Sequence, residues 1–323
     1  MRAGRGAATP PPDTGPAATA ATVPAPTPAP TTVDVSELVR LRTHRPEAVA
    51  EAAARRTRRP LVDTTGRLMI VAADHPARGA LGVGGRKLAM ANRADLLERL
   101  CLALGRPGVD GVLATADILD DLLLLGALDG KVVMGSMNRG GLQGARFELD
   151  DRFTGHRAED IERLGFDAGK LLLRIDYDDP GSLTTLESTA RAIDDMAARR
   201  LPLFVEPFIS RRAPDGKLAN DLSAEAVTRS IAIASGLGGT SAYTWLKVPV
   251  TDDPDDMAEV MATSTLPAVL LGGEVGDDQD GAYEKWRGAL RLPTVRGLVV
   301  GRSLLYPADG DVAAAVDTAV GLL

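Results

Sequence analysis

The sequence contains very little cysteine and histidine, with one cysteine and three histidines among 323 residues. A single cysteine excludes an internal disulfide framework and is typical of a reducing cytoplasm, the compartment we expect. Cys101 stands in an apolar helical run, so we interpret it as a small core residue. The histidines show neither His-x-His nor His-Glu-x-x-His spacing. The sequence therefore predicts no metal centre, and nothing in it indicates a cofactor.

The sequence also lacks a long apolar run and a surplus of positive charge. No apolar segment approaches the ~20 residues that a membrane-spanning helix needs. The formal net charge is -7 and the pI is about 5.2, which argues against nucleic acid or an anionic membrane as a partner. Residues 1–33 have almost no large apolar side chains and consist mainly of Ala, Pro, Thr and Gly. We therefore predict a disordered tail there.

After a helical segment expected over residues 34–60, strands and helices alternate regularly. Helical patterns separate the predicted strands, and one more helical pattern ends the chain. Strands that alternate with helices predict βαβ units and a parallel sheet. The predicted strands are Leu68–Ala73, Val109–Ala114, Lys131–Met137, Lys170–Ile175, Pro202–Phe208, Ala242–Val250, Ala268–Leu271 and Val295–Val300.

Eight such units favour an α/β fold of the (β/α)8 TIM barrel type over residues 61–323. The predicted strands are apolar on both faces, as a sheet covered by helices requires. The length of the repeat is close to the ~250 residues typical of this barrel. A doubly wound open sheet is the alternative, but no Gly-x-Gly-x-x-Gly follows the first strand.

Charged residues recur on strands that otherwise read as buried. Asp74 follows the first predicted strand, and the fourth, fifth and sixth contain Lys170, Glu206 and Lys247. Chemistry in such barrels belongs to the carboxyl ends of the strands, and buried charges need partners. We expect these four residues to form one catalytic centre. The alternative is a set of paired charges inside the barrel that performs no chemistry.

Lys247 is the residue around which this centre is predicted to form. It interrupts the apolar stretch Tyr243–Val250, where burial disfavours the ammonium and lowers its pKa. A neutral lysine amine attacks a carbonyl and forms a Schiff base. A second cation, Lys170, would lower that pKa further. We expect Glu206 to move protons, and Asp74 either to act on a substrate hydroxyl or to orient Lys170. Which lysine carries the imine stays open.

Glycines and polar side chains at other strand ends predict a phosphate and substrate site. The last two strands run into Gly272 and Gly273 and into Gly301 and Arg302, which offer backbone N–H groups and a guanidinium. The other residues expected to bind substrate are Ser136, Asn138 and Arg174.

The set resembles the catalytic residues of class I aldolases of the tagatose-bisphosphate and deoxyribose-phosphate type. In those barrels the Schiff-base lysine lies on strand six, a second lysine on strand four and a glutamate on strand five. The resemblance covers residues 61–323 and implies those roles for Lys247, Lys170 and Glu206. It also implies an acidic role for Asp74 and a phosphate site at Gly301 and Arg302.

Two longer segments carry a narrower resemblance. Gly130-Lys-Val-Val-Met-Gly-Ser-Met-Asn-Arg-Gly-Gly141 and Arg296-Gly-Leu-Val-Val-Gly-Arg302 are similar to barrel proteins of inositol-catabolic gene clusters. This resemblance implies cleavage of 5-dehydro-2-deoxy-D-gluconate 6-phosphate to dihydroxyacetone phosphate and malonate semialdehyde. Such a substrate needs a cation for its carboxylate, and the candidates are Arg139, Arg174, Arg211 and Arg212.

Other functions stay open at the level of sequence. The chain could cleave another phosphosugar, such as deoxyribose phosphate, tagatose or fructose bisphosphate, or sulfofructose phosphate. It could also be a phosphosugar isomerase or epimerase, or a ligand-sensing barrel without catalysis. In each case we expect a small phosphorylated sugar as the partner. The sequence leaves open whether the protein is a homo-oligomer.

Overall fold

The structure, a computed structural model, describes residues 32–138, 141–214, 216–251, 253–272 and 279–323. All but the last two residues of the predicted tail lie outside these ranges. The strands are β1 Leu68–Ala72, β2 Gly111–Ala114, β3 Val132–Ser136, β4 Ala168–Ile175, β5 Leu203–Arg212, β6 Leu218–Asp221, β7 Thr244–Val248, β8 Ala268–Leu271 and β9 Val295–Val300. The α-helices are α1 Val35–His44, α2 Ala48–Arg55, α3 Arg93–Gly105, α4 Ala116–Leu124, α5 Ala158–Arg163, α6 Gly181–Ala198, α7 Ala224–Ser235, α8 Pro254–Ala262, α9 Gln279–Ala289, α10 Arg302–Leu305 and α11 Val312–Val320.

Eight of the strands close into a parallel ring. β1 pairs with β2 on one side and with β9 on the other, and the pairing continues through β3, β4, β5, β7 and β8. Helices connect successive strands and cover the outside of the ring. The predicted (β/α)8 barrel is confirmed, and the open-sheet alternative is wrong because β1 and β9 are hydrogen-bonded neighbours.

One strand was not predicted. β5 continues past Phe208 to Arg212 and turns back into β6, which pairs with it in antiparallel register from Ile209↔Asp221 to Arg212↔Leu218. The sequence of β6, Leu-Ala-Asn-Asp, has no apolar alternation and its residues are at least partly exposed. The resulting hairpin lies at the carboxyl end of the barrel, beside the cavity described below.

The barrel interior is built in layers, because alternate residues of each strand point inward. The inner apolar cluster includes residues from most barrel strands, and four of its members are Ala72, Ala168, Phe204 and the partly buried Trp245. Two positions further along β4, β5 and β7, on the same face and nearer the carboxyl end, are Lys170, Glu206 and Lys247. The strand periodicity therefore brings these three charged side chains into one layer, and Asp74 joins them from the turn that follows β1.

An arginine-rich segment after α2 covers the amino-terminal end of the barrel. Arg56 donates to the Gly165 carbonyl at 2.6 Å and to the Asp167 carboxylate at 3.2 Å, and its side chain is only 2% exposed. Leu61 and Val62 pack against the inner apolar cluster from below. The segment therefore covers this end of the barrel, and the cavity described below lies at the opposite, carboxyl end.

The helix α3 is contacted by segments close to both ends of the described chain. The Val33 N–H donates to Glu98 at 3.1 Å, and Arg106 Nε donates to Asp317 at 2.8 Å. Gly108, with φ +82°, lies against Val320, which a side chain at this position would strike. No helix in the described part of the chain has both the length and the apolar composition to cross a membrane.

Candidate active site

Four charged side chains form a continuous chain at the carboxyl end of the barrel. Lys170 Nζ lies 3.0 Å from Asp74 Oδ2 and 2.5 Å from Glu206 Oε2. The second oxygen of Glu206 accepts from Lys247 Nζ at 2.7 Å. Acidic and basic groups alternate along this chain, so each buried charge has a partner of opposite sign. We call Asp74, Lys170, Glu206 and Lys247 the ion chain.

The ion chain forms part of the wall of a cavity of about 350 Å³. This volume lies within the usual range for small-molecule sites. Of the predicted phosphate site, Gly272, Gly301 and Arg302 line the same cavity, while Gly273 lies outside the described residues. A side chain at Gly301 would meet the Ala72 carbonyl oxygen at 2.2 Å, so this close approach of β9 to β1 requires glycine.

The two lysines differ in the direction of their pKa shifts. Burial lowers the pKa of Lys247; Glu206 opposes this effect, and the neighbouring ammonium of Lys170 adds to it. Burial also acts on Lys170, but Asp74 and Glu206 outweigh it and raise the pKa of Lys170 above its ordinary value. Lys170 contacts two carboxylates and Lys247 contacts one. Lys247 is therefore the amine that loses its proton more readily.

Both carboxylates of the ion chain are held in the ionised form. Burial alone would raise the pKa of Glu206, but Lys170 and Lys247 outweigh it and lower this pKa to about 2. The pKa of Asp74 is likewise lowered against burial, chiefly by Lys170 and then by His75. Within the described residues, no group of three or more His, Cys, Asp and Glu side chains is arranged to hold a metal ion.

Two of the residues expected to bind substrate lie behind the cavity wall. The Asn138 side chain bonds to β4 in both directions, donating to the Leu172 carbonyl at 2.7 Å and accepting from its N–H at 2.8 Å. Ser136 Oγ donates to the Asn138 carbonyl at 2.8 Å and lies 3.4 Å from Asp74 Oδ2. Neither is among the described residues that line the cavity. Their geometry is that of supports for β4 and Asp74.

The arginines expected to bind a substrate carboxylate also lie away from the cavity lining. Arg174 donates to Glu148 at 2.7 Å, and both side chains are buried. Arg212 lies 3.4 Å from Asp179, and the largely exposed Arg211 lies 3.8 Å from a carboxylate of β6. The fourth candidate, Arg139, lies outside the described residues. Arg174 and Arg212 thus have acidic partners in the protein, and none of the three described arginines lines the cavity.

Sequence reasoning missed several residues of the cavity wall. Ala282, Lys285 and Trp286 reach the cavity from α9, a helix whose pattern predicted only an outer, covering position. Their spacing of three and four residues defines one helical face, and this was the available signal. The hairpin adds Asn220, and the 3-10 turn after β1 adds Arg78.

The described part of the cavity lining contains more basic than acidic side chains, although the protein as a whole is negative. Among the described residues that line the cavity, five side chains are basic and two are acidic. The pKa of His75 is lowered to about 3, mainly by burial, so its ring is neutral at pH 7. The five basic residues are Arg78, Lys170, Lys247, Lys285 and Arg302. This surplus of positive charge is suited to an anionic ligand.

The fold is that of (β/α)8 barrels, and the solved structures that share it include Schiff-base aldolases. A structure described as a Schiff base forming fructose-1,6-bisphosphate aldolase aligns with a TM-score of 0.61 and 21% identity, covering 85% of this chain and 99% of that one. An archaeal fructose-1,6-bisphosphate aldolase, solved with its catalytic Lys covalently bound to the carbinolamine intermediate, aligns with a TM-score of 0.61 and 20% identity over 85% and 98%. At these identities the likeness establishes the shared fold.

The family follows from a match of much higher identity. The crystal structure of Cgl0159 from Corynebacterium glutamicum is 55% identical, with a TM-score of 0.86, over 89% of this chain and 95% of that one. Residues 66–320 match the Cgl0159-like family. The protein belongs to the Cgl0159-like family. No protein with a curated description matches the sequence. The resemblance to class I aldolases is thus confirmed for the fold, and the tagatose-bisphosphate, deoxyribose-phosphate and inositol-cluster assignments stay predictions.

Proposed function

We propose that this protein is a metal-independent class I aldolase that cleaves a phosphorylated ketose through a Schiff base on Lys247. The observation that carries this proposal is the ion chain in the wall of the cavity. It supplies a lysine with a lowered pKa, a second ammonium beside it and a carboxylate that contacts both. These are the groups that imine formation requires, namely a nucleophilic amine and a proton carrier.

The geometry supports a definite assignment of roles. The neutral amine of Lys247 adds to the substrate ketone, and the carbinolamine loses water to give an iminium ion. Glu206, whose Oε1 lies 2.7 Å from the amine, is placed to carry the protons of these steps. The β-hydroxyl of the substrate then loses its proton, the carbon–carbon bond breaks, and its electron pair moves into the iminium to form an enamine. Protonation and hydrolysis of the enamine release the ketone product and restore Lys247.

The first substrate to test is 5-dehydro-2-deoxy-D-gluconate 6-phosphate. In this substrate Lys247 would condense with the C5 ketone, and the C3 hydroxyl would lose its proton as the C3–C4 bond breaks. The products are dihydroxyacetone phosphate and malonate semialdehyde. Arg302, Gly272 and Gly301 line the cavity on the side of β8 and β9, which supports phosphate binding there. Fructose 1,6-bisphosphate is the second candidate.

Borohydride reduction tests the proposal directly. The protein is incubated with each ketose phosphate in EDTA-containing buffer, reduced, digested and analysed by mass spectrometry. We expect a stable adduct on the peptide that contains Lys247, and none in Lys247→Met. Lys131→Met is the matched control, because burial also lowers the pKa of Lys131, but this lysine donates to the Val109 carbonyl, away from the cavity. The control variant should be labelled like the wild type.

The same experiment separates the other functions. An adduct on Lys170 would move the nucleophile to that residue. Turnover of a phosphosugar without any adduct would favour an isomerase or epimerase. Binding without turnover and without an adduct would favour a ligand-sensing barrel. Either of the last two results would refute the proposed aldolase.

A further inference from the structure

The imidazole of His75 lines the cavity but has no part in the chemistry proposed above, which leaves the proton of the β-hydroxyl without an acceptor. We propose that His75 takes this proton as the general base of carbon–carbon cleavage and then returns it, as the acid, to the enamine carbon. This inference deepens the proposed function and rests on it for the imine at Lys247. It concerns a later step than imine formation, so the two steps are measured separately.

The turn that follows β1 places His75 in the cavity wall. His75 is the first residue of the 3-10 turn His75–Arg78, which comes directly after Asp74. The Gly79 N–H closes this turn by donating to the Pro76 carbonyl at 2.9 Å. The His75 side chain is 18% exposed and lines the cavity. A ligand in the cavity therefore meets an imidazole that is largely removed from bulk water.

Asp74 is placed to orient the imidazole ring. Its Oδ2 accepts from Lys170 Nζ at 3.0 Å, whereas its Oδ1 lies 3.8 Å from His75 Nδ1. Within the described residues, this Nδ1 is buried and has no hydrogen-bond partner. An approach of roughly 1 Å would make the contact a hydrogen bond from Nδ1–H to Oδ1. The other ring nitrogen, Nε2, is then unprotonated and accepts from a ligand, as in a carboxylate–histidine pair of a hydrolase.

The charge state of the ring is the one that a base requires. Burial lowers the pKa of His75 to about 3; Asp74 opposes this effect, and Arg302 and Arg78 add to it. The imidazole is therefore neutral at pH 7. A phosphate bound at Arg302 would offset the charges of these arginines, so an occupied site should increase the proton affinity of the ring at the stage when a proton has to be taken up.

His75 and Lys247 lie at opposite ends of the contacts that form the ion chain. From Lys247 these contacts pass to Glu206 and Lys170. From Lys170 they continue to Asp74, which His75 follows. Cleavage needs such a separation, because one carbon lies between the imine carbon and the carbon that bears the hydroxyl. The two carboxylates are weaker bases than a ring relieved of the arginine charges, because Lys170 outweighs burial and lowers the pKa of both.

The proton balance of the reaction closes through His75. Its Nε2 takes the proton of the β-hydroxyl, whose oxygen becomes the carbonyl oxygen of the released aldehyde. The carbon–carbon bond breaks, and its electron pair moves into the iminium on Lys247 to give the enamine. The imidazolium, paired with Asp74, then donates its proton to the enamine carbon, and the iminium forms again for hydrolysis.

Dihydroxyacetone phosphate separates this role from imine formation. It condenses with Lys247 directly, and the last proton transfer, run in reverse in D2O, exchanges a hydrogen of its hydroxymethyl carbon for deuterium. Borohydride trapping measures the imine and mass spectrometry measures the exchange, on the wild type, His75→Gln, His75→Ala and His156→Gln. Cleavage of the ketose phosphate that labels the wild type is measured on the same proteins. His156 is the control, because burial also lowers its pKa, but its Nδ1 lies 3.3 Å from the Ser136 carbonyl, outside the cavity lining.

We expect His75→Gln to be trapped by borohydride like the wild type, because imine formation does not use His75. Its rates of exchange and of cleavage should both fall roughly 10²- to 10⁴-fold, the usual contribution of a general acid or base. Added imidazole should restore part of both rates in His75→Ala. His156→Gln should keep both rates, and imidazole should not change them.

Exchange and cleavage that persist in His75→Gln would overturn the inference. A raised KM with an unchanged kcat would also overturn it, since that result indicates that His75 binds the phosphate as a hydrogen-bond donor. An equal loss of trapping, exchange and cleavage would count against it as well, because it indicates a structural role. These three results leave the aldolase proposal intact, whereas a wild type that forms no adduct would refute the aldolase and this inference together.

Discussion

Glu206 connects the two lysines of the site, because each of its oxygens accepts from a different ammonium. In the proposed mechanism, the contact between Lys247 and Glu206 loosens as a substrate ketone approaches. Glu206 then keeps its contact with Lys170, so its charge remains compensated inside the barrel. The residue that holds Lys247 in place is thus also the one that the proposed mechanism requires to take up its proton.

Removing Lys170 should change the proton affinity of Lys247. In Lys170→Met the cation that helps lower the pKa of Lys247 is lost, and Glu206 pairs with Lys247 alone. Both changes favour the ammonium form, so the acid limb of the pH profile for imine trapping should move to higher pH. The rate at pH 7 should fall and recover at higher pH. Lys170→Arg, which keeps the charge, should keep the original midpoint.

A lower maximum with an unchanged midpoint in Lys170→Met would contradict this explanation. It would show that Lys170 acts on the substrate itself rather than on the pKa of its neighbour.

Part of the site could be predicted residue by residue. Lys170, Glu206 and Lys247 stood out because each interrupts an apolar strand, and the two-residue period of a strand places them on one face. Arg78 and Lys285 could not be assigned in this way, because arginine and lysine are ordinary in turns and on helix surfaces. Arg174 shares the face of Lys170 on β4, but its partner Glu148 comes from a loop whose course the sequence does not reveal.

Among the elements, the segment that covers the amino-terminal end of the barrel has several contacts to the barrel, and one carboxylate makes three of them. Asp167 accepts from Arg56, from Arg58 and from the Val133 N–H at 2.9 Å. Its side chain is 4% exposed, and that of Arg56 is 2% exposed. This aspartate joins the segment after α2 to strands β3 and β4. The segment is therefore an integral part of the barrel.

Asp167→Asn should lower the free energy of unfolding by about 3 kcal/mol or more, because it leaves the buried Arg56 without a counter-charge. Arg58→Gln is the matched control. Arg58 meets the same carboxylate, but its side chain is 55% exposed, so its loss should cost less than about 1 kcal/mol. Urea denaturation measures both. Equal effects in the two variants would show that exposure does not set the strength of these contacts.

The elements that could be predicted are those with a clear apolar pattern. The barrel strands are buried on both faces and appear in the sequence as continuous apolar runs, and β8 and β9 have the predicted limits. β6 has no such run, because it is held by backbone pairing with the end of β5 and faces solvent on much of its length. A hydrophobic pattern in the sequence indicates burial, so it does not reveal a strand that is largely exposed.

At the scale of the whole molecule, we predict that the free energy of unfolding decreases in acid, because titratable groups at the cavity have lowered pKa values. The pKa of His75 is lowered, chiefly by burial, from 6.5 to about 3, so between these values the unfolded chain binds a proton that the folded chain does not. Stability must therefore decrease as the pH falls through this window. The pKa of Glu206, lowered by its two lysines from 4.5 to about 2, adds a loss of the same sign below pH 4.5.

His75→Gln should therefore reduce the acid sensitivity of folding. Between pH 6.5 and 5 the carboxylate contributes little, so the difference from the wild type belongs to His75 and should reach about 2 kcal/mol at pH 5. Urea unfolding midpoints at pH 7, 6 and 5 provide the measurement. Some dependence should persist, since burial also lowers the pKa of His156. Identical slopes for variant and wild type would show that His75 is protonated in the folded protein.

The attachment of two distant segments to α3 has a mechanical consequence. Glu98 and Arg106, which hold Val33 and Asp317, are eight residues apart, or ~12 Å along a helix axis. Tension applied between Val33 and Asp317 would therefore load these two contacts at α3 before it reached the junction of β1 with β9.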